Sequence, residues 1–198
     1  MKKGPLLSLV SESVYFPTPD EISTGFIIFN EARVFEIHRD KTLTKVITHF
    51  PDYSPPRETI TYDGVFKIKE SFYGGIFRTY HPKTTLEDNW PIEIGGEKTF
   101  VFDVEDDDNT PWNLQIRVEH NKNKKRKFGT HEIDTIEYDF FVSEKGGSFV
   151  HTHTSIYSAA LKYEIAMRIK RGGETLEPRF APLNDLPLLL EKLISQRK

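Results

Sequence analysis

The chain has 198 residues, with 27 lysines and arginines against 30 acidic residues, and its formal net charge is −3. A charge so close to balance argues against a protein that mainly binds nucleic acid. The lack of cysteine excludes a disulfide framework and thiolate chemistry. No run of residues approaches the ~18 apolar positions that span a bilayer, so the sequence predicts no transmembrane segment. The length fits a single domain over residues 1–198.

The first ten residues begin like a secretory signal, with two lysines followed by leucines. Ser11 and Glu12 then interrupt the apolar stretch, and no cleavage site of small residues follows. We interpret this segment as a mature N-terminus from which an export signal could already have been removed. A periplasmic or cell-envelope location is the expectation, and the sequence leaves a cytoplasmic one open.

Strand-forming segments separated by turn residues follow one another along most of the chain. The predicted strands cover residues 22–30, 33–38, 43–50, 65–72, 76–80, 98–104, 112–119, 128–142, 149–157 and 161–170. Residues 51–56 include three prolines, which cannot donate to a strand ladder, so this segment is predicted to be a loop.

Two of these strands, residues 112–118 and 161–169, alternate between apolar and polar side chains almost without interruption. A period of two places all apolar side chains of a strand on one face. Strands with one buried and one wet face belong to antiparallel sheets, because parallel sheets are usually covered on both faces. The sequence therefore predicts an antiparallel sheet.

Charged segments are predicted to close two hairpins. The acidic run 103–108 is dense in oxygen ligands but lacks the central glycine and trailing glutamate of a helix-loop-helix calcium site, so we interpret it as part of a charged hairpin tip at 105–111. The basic run 122–127 could contact phosphate groups or an anionic membrane surface. It lacks the interleaved aromatic residues of single-strand binders, and we interpret the segment 121–127 as a solvated turn. In the following strand Ile133 is out of phase with Ile136 and Tyr138, which predicts a bulge near Asp134.

Short turns between consecutive strands favour a meander, in which neighbours in sequence pair. About nine or ten strands in one open sheet would over-twist. We therefore predict a mostly β fold, an antiparallel meander that closes into a barrel or folds over as a sandwich.

One α-helix is predicted at about residues 185–196. Asn184 or Asp185 can cap it, and Pro187 is tolerated in its first turn. An apolar stripe at helical spacing consists of Leu186, Leu189, Leu190, Leu193 and Ile194. We expect the stripe to cover or plug the sheet, with the binding of a partner as the alternative.

Three segments resemble a bacterial family of exported or lipid-anchored β-rich proteins of unknown function. Residues 90–95 are similar to a tryptophan-proline strand entry followed by a glycine, and residues 128–135 to a glycine-threonine-aromatic-aspartate signature after a charged turn. Residues 156–163 resemble a tyrosine-serine-proline turn between the last two strands. The resemblance implies a curved antiparallel sheet and export to the bacterial envelope, and it offers no catalytic residues to transfer.

This chain departs from the family pattern at several positions. His131 stands where the family has an aromatic or small residue, and Ala159 stands where it has the proline of the last turn. The usual proline-alanine pair before Gly129 is also missing. The matching segments lie within residues 90–170, less than half of the chain.

The candidate site is the pair His151 and His153. Two histidines two apart on a strand point the same way and can share one metal ion. Phe149 and Tyr157 are expected on that same face. A third metal ligand could come from His131 on the neighbouring strand or from Glu164 across the next turn. The alternative is that both histidines lie on a semi-polar face beside hydroxyl groups.

These observations leave three hypotheses about function. The first is a non-catalytic envelope protein that binds an apolar or glycan ligand, or a protein partner, through the curved sheet, with the abundant strand aromatics lining a cavity. The second is a metal-dependent enzyme that uses His151 and His153. The third is an assembly subunit that pairs through an edge strand or the C-terminal helix. No cofactor is predicted.

Overall fold

The computed structural model describes residues 15–29, 33–51, 54–71, 75, 77–107, 111–128, 130–144, 149–169 and 179–195. In this part of the chain twelve strands form one sheet. The strands are β1 (Gly25–Phe29), β2 (Val34–Asp40), β3 (Leu43–His49), β4 (Arg57–Tyr62), β5 (Phe66–Ser71), β6 (Phe77–Pro82), β7 (Glu97–Asp106), β8 (Pro111–Phe128), β9 (His131–Glu144), β10 (Phe149–Ser158), β11 (Tyr163–Ile169) and β12 (Arg179–Ala181).

Strands β1 to β11 pair in sequence order, each antiparallel to the next, so the predicted antiparallel meander is confirmed. The short strand β12 pairs with β1, with Ile27 opposite Ala181. Among the described residues no ladder joins β11 to β12, and the sheet stays open. The predicted closure into a barrel is therefore wrong.

The two most regular strand predictions have different outcomes. In β8, Leu114 and Val118 are buried in the core, as the alternation predicts. In β11, Leu161 precedes the strand, Ile165 is buried, and Met167 is 47% exposed. The pairing with β10 shifts register between Ile156 and Tyr157, opposite Ile165. This bulge breaks the alternation, because it turns Ile165 and Met167 to different surroundings.

The basic run 122–127 lies inside strand β8 and not in a turn, contrary to the sequence prediction. Acidic side chains of β9 lie opposite it and form ion pairs, including Lys122 with Glu137 at 3.3 Å and Lys125 with Glu132 at 3.4 Å. Opposite charges across a ladder stabilise the pairing, so the strand continues through the basic run.

The bulge predicted near Asp134 lies instead in the partner strand. His120 pairs with Tyr138 and Lys122 with Glu137, so Asn121 is the extra residue. Ile133 needs no bulge in β9, because it packs in a different hydrophobic cluster from Tyr138.

A short helix, α1 (Pro19–Thr24), and strand β4 were not predicted from the sequence. Thr18 caps α1 and exchanges hydrogen bonds with Glu21 as a capping box, and Pro19 occupies its first turn. Strand β4 ends at the turn Asp63-Gly64, where both residues have positive φ (49° and 71°). This is the geometry of a tight type I′ hairpin turn.

The buried side chains form three clusters. The largest gathers aromatic and aliphatic residues of β5 to β10 around Phe66, Phe100 and Phe102. A second joins Phe26 and Ile28 of β1 to Ile156 and Ile165 from the other end of the sheet. The two ends of the open sheet therefore approach each other through side-chain packing.

The C-terminal helix is confirmed as a 3-10 turn at Leu183–Asp185 followed by α2 (Leu186–Ser195). Pro182 precedes the 3-10 turn and makes no capping side-chain hydrogen bond, and the capping of the helix by Asn184 or Asp185 stays a prediction. Leu189 and Leu193 are buried against Ile27 and Phe29 of β1 in the third cluster. Burial of each leucine stabilises the fold by about 1.5–3 kcal/mol. Because α2 covers one face of β1 and the second cluster the other, all five residues of β1 are buried.

Neither helix in the described ranges has the length and apolar character needed to cross a membrane.

The Gly64→Ala substitution is expected to lower the free energy of unfolding by more than Gly95→Ala does. Both glycines have φ near 70°, so both alanines carry left-handed strain of about 1–2 kcal/mol. A Cβ at Gly64 would also lie 2.5 Å from the Lys162 carbonyl oxygen, whereas nothing lies within 4 Å at Gly95. Urea denaturation of both variants measures the difference. Equal losses of unfolding free energy in the two variants would contradict the close contact between the turn at Gly64 and the turn that contains Lys162.

Candidate functional site

The curved sheet encloses a cavity of about 460 Å³, lined by residues from β2 to β11. Its size falls within the roughly 300–1,000 Å³ range of small-molecule sites in proteins. One wall of the cavity is apolar and consists of Phe66, Phe102, Leu114, Phe140 and Val142, all buried, and the lining also includes the buried polar residues Thr48, Thr61 and His153. More exposed charged residues, among them Lys67, complete the lining.

Next to this apolar wall lies Glu70 of β5, which is 1% exposed. Its carboxylate accepts a hydrogen bond from the Tyr80 hydroxyl at 2.8 Å and forms ion pairs with Arg57 at 2.6 Å and Lys67 at 2.8 Å. The Arg78 guanidinium is 3.7 Å away. Burial raises the pKa of Glu70, but Lys67, Tyr80 and Arg57 together outweigh it and hold the pKa below its usual value. Glu70 is therefore a charged carboxylate that positions three cations.

The rings of His151 and His153 stack with centroids 5.3 Å apart, and His153 stacks on Phe140 at 4.9 Å. Both histidines line the cavity. Burial, His151 and Lys67 lower the pKa of His153 to about 4, while Asp139 acts in the opposite direction. His153 is therefore neutral at pH 7. Its Nδ1 atom is buried and has no hydrogen-bond partner within the described residues.

Glu164 of β11 also lines the cavity. Burial raises the pKa of Glu164 to about 7, although the Ser155 hydroxyl and the Lys67 ammonium group lower it. A carboxyl group with this pKa is partly protonated at neutral pH and can donate or accept a hydrogen bond. The cavity therefore has a polar side formed by Lys67, Glu164 and the two histidines.

The other predicted site residues lie away from this polar side. The Tyr157 hydroxyl donates to Asp63, and its ring packs on Trp90 at 5.4 Å as part of the core. Phe149 begins β10, and its side chain lies outside the described part of the structure. His131 stacks on Phe16 at 5.1 Å.

His131 cannot join the histidine pair in this structure. His153 pairs with Phe140, which is nine residues further along β9 than His131. At the spacing of a strand this is roughly 30 Å. Across the residues that the structure describes, no group of three or more His, Cys, Asp or Glu side chains could hold a metal ion.

The sequence analysis did not identify Arg57, Lys67, Glu70 or Arg78 as site residues. One signal for Glu70 is present in the sequence. In the sequence Phe66, Ile68 and Glu70 stand at alternate positions, so a carboxylate occupies a place where alternation predicts an apolar residue. The cations give no such signal, because lysine and arginine on a strand usually face solvent.

Comparison with known proteins finds a similar fold and does not identify a function. No protein-family model matches the chain, and no curated protein sequence matches it. The fold is similar to that of the hypothetical lipoprotein YmcC from Escherichia coli K12, with a TM-score of 0.50 and 12% identity over 88% of this chain and 93% of that one. At this identity the likeness concerns the fold alone, and it is consistent with the resemblance to bacterial exported proteins.

Glu164 and His153, two of the titratable groups that line the cavity, are expected to give opposite pH dependences of stability. Folding raises the pKa of Glu164 from 4.5 to about 7, so its contribution to stability declines as the pH rises through that interval. Folding lowers the pKa of His153 from 6.5 to about 4, so its contribution declines as the pH falls through that interval. Each slope is at most about 1.4 kcal/mol per pH unit.

Urea denaturation between pH 4.5 and pH 8 separates the two groups. In the Glu164→Gln variant the free energy of unfolding should rise with pH up to about 6.5, and the variant should exceed the wild type at pH 8. In the His153→Phe variant, which keeps a ring on Phe140, the free energy should fall as the pH rises toward 7. Parallel profiles of the wild type and both variants would contradict the shifted pKa values.

Proposed function

We propose that this is a non-catalytic protein of the bacterial envelope that binds a small apolar ligand inside its curved sheet. The observation that carries the proposal is the cavity of about 460 Å³ with a buried wall of Phe66, Phe102, Phe140 and neighbouring aliphatic residues. An apolar cavity of this size gains free energy when an apolar molecule replaces poorly bonded water.

The lining favours an apolar ligand over the other partners that the sequence leaves open. A glycan needs hydrogen-bonding groups over most of its surface, whereas one whole wall of this cavity, with Phe66, Phe102 and Phe140, is aromatic and aliphatic. The buried Nδ1 atom of His153 supports a ligand with one polar group, because an unpaired buried nitrogen is costly. We assign His151 and His153 to this polar side of the ligand site.

The metal-dependent enzyme considered from the sequence receives less support. The stacked histidines supply two nitrogen ligands, but Glu164 and His131 do not complete a group of three within the described ranges. A ligand site therefore accounts for the pair more simply than a metal centre does.

The envelope location rests on the fold. The structural neighbour from E. coli is a hypothetical lipoprotein, and the motifs at residues 90–95 and 128–135 resemble exported bacterial proteins. In the bacterium that encodes the chain, the product of the complete gene is expected in the periplasmic or membrane fraction. Immunoblotting of fractionated cells against a cytoplasmic marker enzyme measures this. Co-fractionation with that marker would contradict the proposed location.

A Val142→Phe substitution should block the cavity and weaken ligand binding. Val142 is a buried lining residue opposite His151, and a larger ring there extends into the cavity. The neutral dye N-phenyl-1-naphthylamine is the probe, and its fluorescence increases in apolar surroundings. We expect the wild-type protein to bind the dye and the variant to bind it at least about tenfold more weakly, a loss of about 1.4 kcal/mol.

Val101→Phe is the matched control. Val101 of β7 lies between the inward-facing Phe100 and Phe102 in sequence, so its side chain faces away from the cavity. The control should bind the dye like the wild type. Should Val142→Phe fail to fold, Thr59→Phe places a ring on the same cavity from β4. Unchanged binding in a folded cavity variant would contradict the proposal.

A further inference from the structure

Three stacked rings line the cavity, Phe140 of β9 and then His153 and His151 of β10. His153 lies opposite Phe140 in the ladder, and the two histidines, two positions apart, project from the same face of β10. The ring centroids of Phe140 and His153 are 4.9 Å apart and those of His153 and His151 5.3 Å, with 10° and 21° between the planes. Such distances between nearly parallel planes are stacked contacts. We call these three side chains the ring stack.

The ring stack runs from the core toward solvent. Phe140 is 4% exposed, and its ring centroid is 6.2 Å from that of Phe66 in the largest cluster. His153 is 7% exposed, whereas His151 is an exposed residue that still lines the cavity. In the part of the chain that the structure describes, His153 is the one ring that stacks on His151. The outer face of the His151 ring is therefore left for another planar group.

Other lining residues also favour contact with a ring. Further aromatic side chains contribute to the cavity from β2, β6, β8 and β11, namely Phe35, Tyr80, Trp112 and Tyr163. Met167 of β11 lines the same cavity and is 47% exposed. The thioether of methionine is flexible and makes favourable contacts with the edges of aromatic rings. The lining thus combines rigid aromatic surfaces with an adaptable side chain next to them.

The cations that line the cavity from β4, β5 and β6 are engaged by carboxylates of the protein itself. Arg57 and Lys67 form ion pairs with Glu70 at 2.6 Å and 2.8 Å, and Arg78 forms an ion pair with Asp106. A neutral ligand leaves these pairs intact, whereas a charged head would have to compete with them.

We propose that the cavity binds a planar aromatic molecule, whose ring system stacks on the outer face of His151 and extends the ring stack. This inference rests on the proposed function, since it names the class of apolar ligand that the cavity takes. Stacked aromatic rings stabilise each other beyond the burial of their surface, whereas a saturated ring of the same skeleton gains from burial alone. The protein therefore discriminates between flat and puckered molecules of equal size.

Isothermal titration calorimetry with a matched pair of neutral probes tests the proposal. The probes are 2-naphthalenemethanol and its fully saturated decahydro analogue, which share the carbon skeleton and carry the same aliphatic hydroxyl group. Hydrogen bonding by the two hydroxyl groups is therefore equal, and the probes differ in the ability of their rings to stack. The wild-type protein should bind the naphthyl alcohol about three- to tenfold more tightly than the saturated alcohol.

The His151→Leu variant should lose most of this preference and keep its affinity for the saturated alcohol, because leucine fills space without a planar face. The His151→Phe variant restores a ring and should restore the preference, which separates stacking from any hydrogen bond of the imidazole. Thr152→Leu is the matched control, since Thr152 faces the other side of β10 and does not line the cavity. The thermal midpoint of unfolding checks that each variant folds.

Proton NMR gives a second measurement on the wild-type protein. The carbon-bound ring protons of His151 should shift upfield when the naphthyl alcohol binds, because a stacked ring shields them, and the saturated alcohol should cause no such shift. The His151→Leu spectrum identifies these resonances.

The outcomes that would overturn the inference are distinct from failure of the proposed function. If the wild-type protein binds the saturated alcohol as tightly as the naphthyl alcohol, the cavity does not select planar molecules, and an apolar ligand site remains. An unchanged preference in folded His151→Leu refutes stacking on the ring stack. If neither alcohol binds, the proposed function fails together with the inference.

Discussion

The cavity depends on contacts between two turns that lie about a hundred residues apart in the sequence. The Arg39 guanidinium donates to the carbonyl oxygens of Leu161 and Lys162, and the Gly64 carbonyl accepts from the Glu164 backbone N–H at 3.4 Å. These bonds hold the early strands against the last hairpin although no ladder joins β11 to β12 among the described residues. Together with the packing of the second cluster, these bonds keep the sheet curved, so that its aromatic face is shielded from water.

The same region shows how the core tolerates buried charge. Asp63, in the turn before Gly64, accepts hydrogen bonds from Trp90 Nε1 at 2.9 Å and from the Tyr157 hydroxyl. These bonds tie the turn to two aromatic side chains of the largest cluster. Glu70 is satisfied by three cations and a tyrosine. A buried carboxylate is costly unless it is paired and hydrogen-bonded, as Glu70 is, and the partly buried Asp63 is satisfied by its two hydrogen bonds.

The proposed ligand site depends on the curvature of the sheet and does not require the sheet to close into a barrel. The cavity is lined by side chains from β2 to β11, so most of the sheet contributes to one site. Its walls combine a buried aromatic surface with partly neutralised cations, and Glu164 and His153 have pKa values shifted toward their neutral forms.

The sequence by itself determined the local structure. The alternation in residues 112–118 predicts a strand of the antiparallel meander, and the leucine stripe predicts α2. Both patterns depend only on neighbours a few positions apart in the chain. The signals for α1, a capping box at Thr18 and Glu21, and for the turn at Asp63-Gly64 are also local, so both elements could have been predicted from the sequence. The tertiary structure alone decided that β8 runs through the basic segment, that β12 joins β1, and that Lys67 and Glu164 share a cavity. Those outcomes depend on contacts between residues far apart in the chain, which no periodicity within one segment records.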